Sequence, residues 1–158
     1  MAGPLGSCPT GLLRQRMKSD LGYKIETTVK LYDTDAAGIM FFGNYLRVAH
    51  DAYQAYLESC GFSFADALNE GKLLIPIVHA EADYMQPLAV GDKLTVELTA
   101  AKISTHSFVL KYRLCRPDST PVAVVSTVHV TTNRSAKDKI ELPITLRQAL
   151  ERIYQPES

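Results

Sequence analysis

The residues best suited to chemistry lie in one short stretch, from Leu31 to Gly43, which reads L-Y-D-T-D-A-A-G-I-M-F-F-G. On an extended backbone its two aspartates, Asp33 and Asp35, would point to the same face, roughly 6.5–7 Å apart. A helical pattern begins at Asn44, and the first N–H groups of a helix lack intrahelical partners and carry partial positive charge. The stretch therefore predicts a carboxylate next to backbone donors, an arrangement that suits acyl transfer.

The glycines of this stretch fit that prediction, but they also fit a simpler alternative. Gly38 and Gly43 permit a positive φ angle or the close approach of another molecule to the backbone. Asp and Gly are ordinary turn residues, so Asp33 and Asp35 can serve only to stabilise a turn, and Asn44 only to cap a helix. Spacing alone favours this structural alternative.

The segment D-T-D-A-A-G-I-M-F-F-G-N-Y-L, followed by a helical pattern that carries His50, resembles the active-site segment of the 4-hydroxybenzoyl-CoA thioesterase family of hot-dog-fold proteins. The resemblance extends from about Tyr23 to Thr132. Two further segments, L-I-P-I-V-H-A at residues 74–80 and H-S-F at residues 106–108, are similar to one branch of that family. This branch hydrolyses 1,4-dihydroxy-2-naphthoyl-CoA in menaquinone and phylloquinone biosynthesis.

The resemblance implies a role for each residue that matches the family pattern. The second aspartate of the D-x-D-x-x-G pattern, Asp35, is the catalytic carboxylate, which either attacks the thioester or activates water. The backbone N–H of Phe42 or Gly43 is the oxyanion donor. Ala36 stands where many relatives have proline, which makes the turn less rigid. No cofactor is expected, because a thiolate whose pKa is near ~8.5 departs without a strong general acid.

Aromatic residues indicate the kind of substrate. Phe41, Phe42 and Phe108 are expected to line a flat slot, which fits a benzoyl or naphthoyl group better than a long alkyl chain. Two other functions stay open: hydrolysis of short-chain or phospholipid-linked acyl thioesters, and binding of acyl thioesters without catalysis on the same fold. Asp35 and Gly43 together argue against a pure binding protein, which needs neither.

The predicted helix carries further candidates. His50 lies on the same helical face as Leu46 and Tyr53, where a histidine is commonly a hydrogen-bonded core residue. Because the helix begins at the proposed oxyanion site, His50 is also a candidate for orienting water or a substrate hydroxyl. Asp51 and Glu58 are fallback candidates for the catalytic carboxylate, since some relatives of this fold place it on the helix; solvated surface positions are the simpler interpretation.

Two clusters that contain histidine carry weaker signals. His79, Glu81 and Asp83 alternate along one strand face, but three potential ligands in a row on one strand are a weak indication of metal, and no metal site is predicted. His106 beside Ser107 suggests a hydrolase triad, yet the sequence contains no G-x-S-x-G segment. A turn is the better interpretation of His106 and Ser107.

One local basic cluster follows the last strand pattern. Arg134, Lys137 and Lys139 either contact the phosphates of coenzyme A, a task that lysine and arginine suit, or belong to a solvated loop. The sequence has no phosphate-binding glycine loop of the Walker or dinucleotide type. Nucleotide hydrolysis and hydride transfer therefore have no support.

Composition excludes several kinds of partner. The chain has 158 residues, of which 17 are Lys or Arg and 17 are Asp or Glu, so no global field attracts nucleic acid or anionic lipid. No apolar run approaches the roughly 18–20 residues of a membrane span. Cys8, Cys60 and Cys115 form an odd number without metal-type spacing, which favours a reducing, cytoplasmic compartment.

The remaining patterns predict the elements that position this chemistry. The stretch from Tyr23 to Leu31 alternates as a half-buried strand, and the stretch from Asn44 to Cys60 repeats apolar residues at helical spacing, with Gly61 as its stop. A short helix is predicted from Ser63 to Glu70. Four more strands and a C-terminal helix follow, at residues 77–84, 93–103, 107–115, 122–132 and 143–154.

One strand, a long helix and four antiparallel strands predict the α+β class, with a curved antiparallel five-stranded sheet wrapped around one long helix. This is the element order of the hot-dog fold. Because a single sheet leaves its edges open, a homodimer is expected, and the resemblance extends this to tetramers with the acyl pocket between subunits. Residues 1–20 are expected to precede the domain at 21–158, since Gly3-Pro4-Leu5-Gly6-Ser7 resembles the remnant of an expression tag and the rest suits a disordered extension.

Overall fold

The computed structural model describes residues 22–135 and 137–158, so the predicted extension at residues 1–20 lies outside the described residues. Within these ranges five strands form one antiparallel sheet in the order β1-β3-β4-β5-β2. The strands are β1 (Tyr23–Thr28), β2 (Ile77–Tyr84), β3 (Lys93–Ile103), β4 (Ser107–Cys115) and β5 (Pro121–Val130). The helices are α1 (Phe42–Ser59), α2 (Phe64–Glu70) and α3 (Ile144–Arg152).

The predicted hot-dog arrangement is confirmed. Helix α1 has 18 residues, a length of about 27 Å, and packs against β3, β5 and β1 on one face of the sheet. Helix α3 packs against β3 as well. None of the helices in the described ranges combines the length and the hydropathy needed to cross a membrane.

Strand alternation builds the core between the sheet and α1. On β3 and β4 every second side chain is buried beneath the helix: Leu94, Val96, Leu98, Ala100, Phe108, Leu110, Tyr112 and Leu114. The buried stripe of α1 follows three- and four-residue steps: Tyr45, Val48, Ala49, Ala52, Tyr53, Tyr56 and Leu57. Since Ala49 and Ala52 are small, the helix can lie close to the sheet.

The predicted buried face of α1, which included Leu46 and His50, was wrong in part, because the observed buried face is rotated slightly about the helix axis. Leu46 is only half-buried and His50 is exposed. The central positions belong instead to Tyr45, Val48 and Tyr56, whose larger or β-branched side chains fill the space over the sheet.

Two expected boundaries near the aspartates were wrong. Strand β1 ends at Thr28 and not at Leu31, because residues Leu31–Asp33 form a 3-10 turn that exposes Leu31 to solvent. Helix α1 begins at Phe42 and not at Asn44, with the backbone of Phe41 extended at the N-cap position.

The C-terminal boundaries differ from the prediction by one or two residues. Strand β5 ends at Val130, because the next two residues pair outside the sheet: Thr131 donates its N–H to the carbonyl of His106, and Thr132 bonds to Leu74. Helix α3 covers Ile144–Arg152, with the extended Pro143 as its N-cap residue.

The predicted end of α1 and start of α2 are confirmed. Gly61 has a φ of +86°, and Phe62 N–H bonds to the carbonyl of Leu57 at 3.0 Å, a glycine-dependent termination. The Oγ of Ser63 then accepts a hydrogen bond of 3.1 Å from the N–H of Asp66, which caps α2.

The two edges of the sheet are different. Beyond Tyr23, the first residue of β1, the C-terminal tail pairs with β3: Ala100 N–H bonds to the carbonyl of Ile153, and Gln155 N–H bonds to the carbonyl of Ala100, each at 2.9 Å. At the other edge, no strand of the described residues covers the free side of β2, and almost all of its side chains are exposed.

Candidate functional site

The segment before α1 folds into two linked turns. After the 3-10 turn Leu31–Asp33, residues Thr34 and Met40 form an antiparallel bridge. Between them Asp35 N–H bonds to the carbonyl of Ile39 at 2.9 Å, and Gly38 N–H bonds to the carbonyl of Asp35 at 3.0 Å. Gly38 has a φ of +78°, which explains a glycine at this position.

The two aspartates have separate environments, so the expectation that they share a face was wrong. Asp33 belongs to the 3-10 turn and is 2% exposed. Asp35 is exposed, and its Oδ1 accepts a hydrogen bond of 2.8 Å from the N–H of Ala37. Asp35 is therefore the aspartate whose carboxylate can meet a substrate.

The turn is bound directly to the start of α1. The N–H of Phe41, the residue before the helix, donates to the backbone carbonyl of Asp33 at 2.8 Å. Phe42 and Gly43 are then the first two helical residues, where N–H groups lack intrahelical partners and carry partial positive charge. A Cβ at Gly43 would lie 3.0 Å from Cε1 of Phe41, so the missing side chain lets the Phe41 ring rest on the helix start.

An apolar groove lies beside the helix start. Its volume is about 340 Å³, and its lining includes Ile39, Met40, Phe42, Tyr45, Tyr84 and Met85. The Tyr45 and Tyr84 rings meet edge to face with centroids 5.0 Å apart. Burial raises the pKa of the Tyr45 hydroxyl, and the neighbouring Tyr84 raises it further.

The expected slot of Phe41, Phe42 and Phe108 is not formed within one chain. Phe41 and Phe42 are exposed and touch each other, with ring centroids 4.5 Å apart. Phe108 is 0% exposed, because strand alternation turns it into the core, where its ring stacks on His129 at 4.7 Å. Phe108 is a core residue in this chain.

His50 lies farther along α1, on its exposed side. Its ring meets that of Tyr53 edge to face, with centroids 5.4 Å apart. The other helical candidates make surface contacts: Asp51 accepts a hydrogen bond from Arg47, and Glu58 one from Gln54, each at 2.9 Å.

His129 on β5 was missed by the sequence analysis. Burial, together with nearby His50, lowers the pKa of His129 to about 3, so its ring stays neutral. Nε2 of His129 pairs with Oγ1 of Thr127 at 2.8 Å, whereas Nδ1 has no partner within the described residues. The alternation of β5 was the available signal, since it places residues 127 and 129 on the buried face with Val125.

The remaining candidates lie away from Asp35. Arg134 passes over Gly71, since a Cβ at Gly71 would lie 2.7 Å from its Nη1. It follows Thr132, which bridges to Leu74 near the start of β2, whereas the groove adjoins the end of β2. Arg134 and the exposed Lys137 are therefore not brought to Asp35 within the chain.

The two histidine clusters also lie elsewhere. His79 and Glu81 contact each other at 3.3 Å on the exposed face of β2. His106 lies in the predicted turn.

Comparisons with known proteins agree with this fold. The family model described as "Thioesterase-like superfamily" matches residues 29–150. A 1,4-dihydroxy-2-naphthoyl-CoA hydrolase of Rippkaea orientalis is 36% identical over 125 residues, covering 78% of this chain and 91% of the relative. One of Nostoc punctiforme with the same name is 36% identical over 131 residues, covering 83% and 88%.

A solved structure gives the same result in three dimensions. The crystal structure of a 1,4-dihydroxy-2-naphthoyl-CoA thioesterase from Synechocystis superposes with a TM-score of 0.79 at 32% identity, covering 82% of this chain and 95% of the other. The range matched by the family model, residues 29–150, includes the segment with Asp35 and the long helix. The chain is a member of the thioesterase-like superfamily, with the hot-dog fold of its thioesterases.

Proposed function

We propose that the protein hydrolyses 1,4-dihydroxy-2-naphthoyl-CoA to the free acid and coenzyme A. The proposal depends chiefly on one observation: the exposed carboxylate of Asp35 lies on a turn that is hydrogen-bonded to the start of α1. It is supported by the relatives from Rippkaea orientalis and Nostoc punctiforme, which are 1,4-dihydroxy-2-naphthoyl-CoA hydrolases, and by the Synechocystis thioesterase that acts on the same thioester.

The proposed chemistry requires two groups of the protein. Asp35 either attacks the thioester carbonyl or removes a proton from the attacking water, and the N–H groups of Phe42 and Gly43 stabilise the oxyanion that forms. The C–S bond then breaks and coenzyme A leaves as a thiolate. In the direct-attack route the acyl group remains on Asp35 as a mixed anhydride, and a water molecule hydrolyses it to release the aromatic acid and restore the carboxylate. In the water route the acid is released directly, and the proton held by Asp35 passes to the thiolate or to solvent. Because a thiolate is a good leaving group, no metal or redox cofactor is part of this proposal.

The surroundings of the helix start suit an aromatic acyl group. The exposed rings of Phe41 and Phe42 and the groove of about 340 Å³ provide flat apolar surface, and the groove is lined by Ile39, the residue that closes the Asp35 turn. His50, on the exposed side of α1, is proposed to orient the attacking water or to bind a hydroxyl of the substrate.

The proposal includes a homodimer formed through β2. If two β2 strands pair antiparallel across a twofold axis, the Tyr84 end of one strand lies beside the Ile77 end of the other. Arg134 and Lys137 follow Thr132, which bridges to Leu74 just before β2. The partner's Arg134 and the partner's Lys137 would then approach Phe42, where they can bind phosphates of coenzyme A.

We also propose the family's tetramer as an assembly of two such dimers, and a cytoplasmic location. The cytoplasmic location is supported by Cys60 and Cys115, which are both free thiols.

The test is thiol release from four thioesters: 1,4-dihydroxy-2-naphthoyl-CoA, 4-hydroxybenzoyl-CoA, a short-chain acyl-CoA and a long-chain acyl-CoA whose acyl group is one found in phospholipids. We expect kcat/KM to be highest for the naphthoyl thioester. Asp35→Asn should retain the fold and lose about 100-fold or more in kcat. A preference for the short-chain thioester would contradict the proposed substrate, and saturable binding without thiol release would make the protein a binder.

A further inference from the structure

The carboxylate of Asp33 is buried and fully engaged. Its Oδ1 accepts a hydrogen bond of 2.5 Å from Nη2 of Arg47, and its Oδ2 accepts one of 2.8 Å from the N–H of Lys30. The side chain of Asp33 is 3% exposed, whereas that of Arg47 is 44% exposed. One carboxylate therefore joins the end of the β1 segment to the second turn of α1.

The backbone of Asp33 makes two more connections. Its carbonyl oxygen accepts hydrogen bonds from the N–H of Phe41 and from Nδ2 of Asn44, each at 2.8 Å. The simpler alternative gave Asn44 the role of a helix cap, but its side chain reaches back to Asp33, two positions before Asp35. The side chain and the backbone carbonyl of Asp33 thus both bind the start of α1.

Asp35 has no comparable anchor of its own. Among the described residues its hydrogen bonds all close within residues 35–39, through Ala37, Gly38 and Ile39. These bonds fix the shape of the turn but not its place relative to α1. At its far end the turn is held against the loop after β2, where Ile39 bridges to Ala89 and the N–H of Met40 bonds to the carbonyl of Leu88. On the side of Asp35, the direct link to the helix is made by Asp33, two residues away.

We propose that Asp33 and Arg47 are a positioning pair that holds the Asp35 carboxylate at the correct distance from the N–H groups of Phe42 and Gly43. This inference rests on the proposed catalytic role of Asp35. Arg47 also contacts Asp51 at 2.9 Å on the outer side of α1, so its guanidinium is oriented from two sides. Neither Asp33 nor Arg47 touches substrate in this arrangement.

Energetics favour a positioning role over a purely stabilising one. Removing a carboxylate from water is costly, and well-packed neutral residues often match or exceed a buried ion pair in stability. A charge-assisted hydrogen-bond network of fixed geometry does, however, restrict where the joined segments can lie. Reacting groups displaced by about 1 Å can lose on the order of 100-fold in rate, so a small shift of the turn is sufficient to reduce turnover.

The test compares Asp33→Asn and Arg47→Gln with the wild type by thiol release from 1,4-dihydroxy-2-naphthoyl-CoA, at a temperature at which circular dichroism shows each variant folded. We expect kcat to fall by about tenfold or more in both variants, with KM changed less than about threefold. Arg47→Gln leaves the backbone of Asp33 intact, so it remains informative if Asp33→Asn does not fold.

A second measurement separates an effect on the position of Asp35 from a general loss of rigidity in the protein. In the Asp35→Asn background, Asp33→Asn should lower kcat by less than about twofold, because the group that it positions is already gone. Asp92→Asn is the matched control: Asp92 also accepts a backbone N–H, from Ala89 at 2.9 Å, and pairs with an arginine, Arg116 at 3.3 Å. The Asp92→Asn variant should have a lower free energy of unfolding but the same kcat as the wild type.

Three results would decide against the inference: unchanged kcat in Asp33→Asn, an equal fall in kcat in the Asp35→Asn background, or an equal fall in Asp92→Asn. If Asp35→Asn itself keeps wild-type turnover, the proposed function of Asp35 fails first. If Asp35→Asn is inactive and Asp33→Asn is fully active, only the positioning inference fails.

Discussion

The hydroxyl of Tyr84 donates a hydrogen bond of 2.9 Å to the backbone carbonyl of Phe42. Tyr84 is the last residue of β2, the strand proposed to form the subunit contact, and Phe42 is the first residue of α1, where the oxyanion is proposed to bind. One hydrogen bond therefore connects the proposed subunit contact to the proposed site of chemistry.

Replacing Tyr84 by phenylalanine tests this connection. The variant keeps the ring beside Tyr45 and loses only the hydroxyl, so the free energy of unfolding should fall by about 0.5–1.5 kcal/mol in urea titrations. We expect kcat to fall several-fold, because the helix start is less firmly held. Tyr154→Phe is the control, since Tyr154 is 43% exposed, close to the 46% of Tyr84, and lies in the C-terminal tail. Equal kcat values for the two variants would contradict the connection.

Gly38 provides a test of the turn itself. Both Gly38 and Gly61 have positive φ angles, of 78° and 86°, and at neither would an added Cβ meet an atom within 4 Å. Alanine at either position should therefore cost about 1–2 kcal/mol of unfolding free energy through backbone strain alone. Only Gly38→Ala should lower the rate of thiol release, because only that turn carries Asp35. An equal loss of thiol release in Gly61→Ala would show that backbone strain lowers activity wherever it lies, and would contradict a special role of the Gly38 turn.

The pKa of His129 predicts loss of stability in acid. This pKa is about 3 in the folded protein, against an ordinary value of 6.5, so the unfolded chain binds more protons between these two pH values. Stability therefore decreases as the pH falls below about 6.5, by about 2 kcal/mol between pH 8 and pH 5 from this group. His129→Phe, which preserves stacking on Phe108, should remove that part of the pH dependence in urea titrations at pH 8 and pH 5. An unchanged difference would mean that the ring is not held neutral by the fold.

Edge strand β2 provides a test of assembly. Val78 is 60% exposed on β2, so Val78→Asp should leave the fold intact while placing a charge in the proposed dimer contact. We expect sedimentation velocity to show a shift from dimer towards monomer, with lower thiol release if the partner's Arg134 binds coenzyme A. Leu68→Asp on α2, where the side chain is 64% exposed, is the control and should sediment like the wild type.

Local periodicity was sufficient to predict most of the fold. Strands β3 and β4 lie at the residues that the alternation indicated, and the stop at Gly61 and the cap at Ser63 are confirmed because those signals are local. The start of α1 was wrong because Asn44 looks like a cap in sequence, whereas its side chain bonds to Asp33, 11 residues earlier. Tertiary contacts of this kind leave no local signal.

The candidate site was predictable only in part. The D-x-D-x-x-G segment pointed to Asp35, and its exposure and turn are compatible with that prediction, while the roles of Phe42, Gly43 and His50 stay predictions. Spacing could not show that Asp33 is buried, because its partner Arg47 is 14 residues away on the helix. It also could not show that Phe108 stacks on His129 inside the core.

The C-terminal tail has a consequence for how large an assembly can become. By pairing with Ala100 it covers the part of β3 that extends past Tyr23, the first residue of β1, so the backbone groups of Ala100 are not left unpaired on that side. Among the described residues β1 and β2 are the two edge strands of the sheet. An assembly that joins β2 to the β2 of a second copy uses the same strand in both and closes after a single step. Removing the residues after Arg152 would expose the N–H and the carbonyl of Ala100 and lengthen the free edge beside β1, which favours open-ended strand addition there.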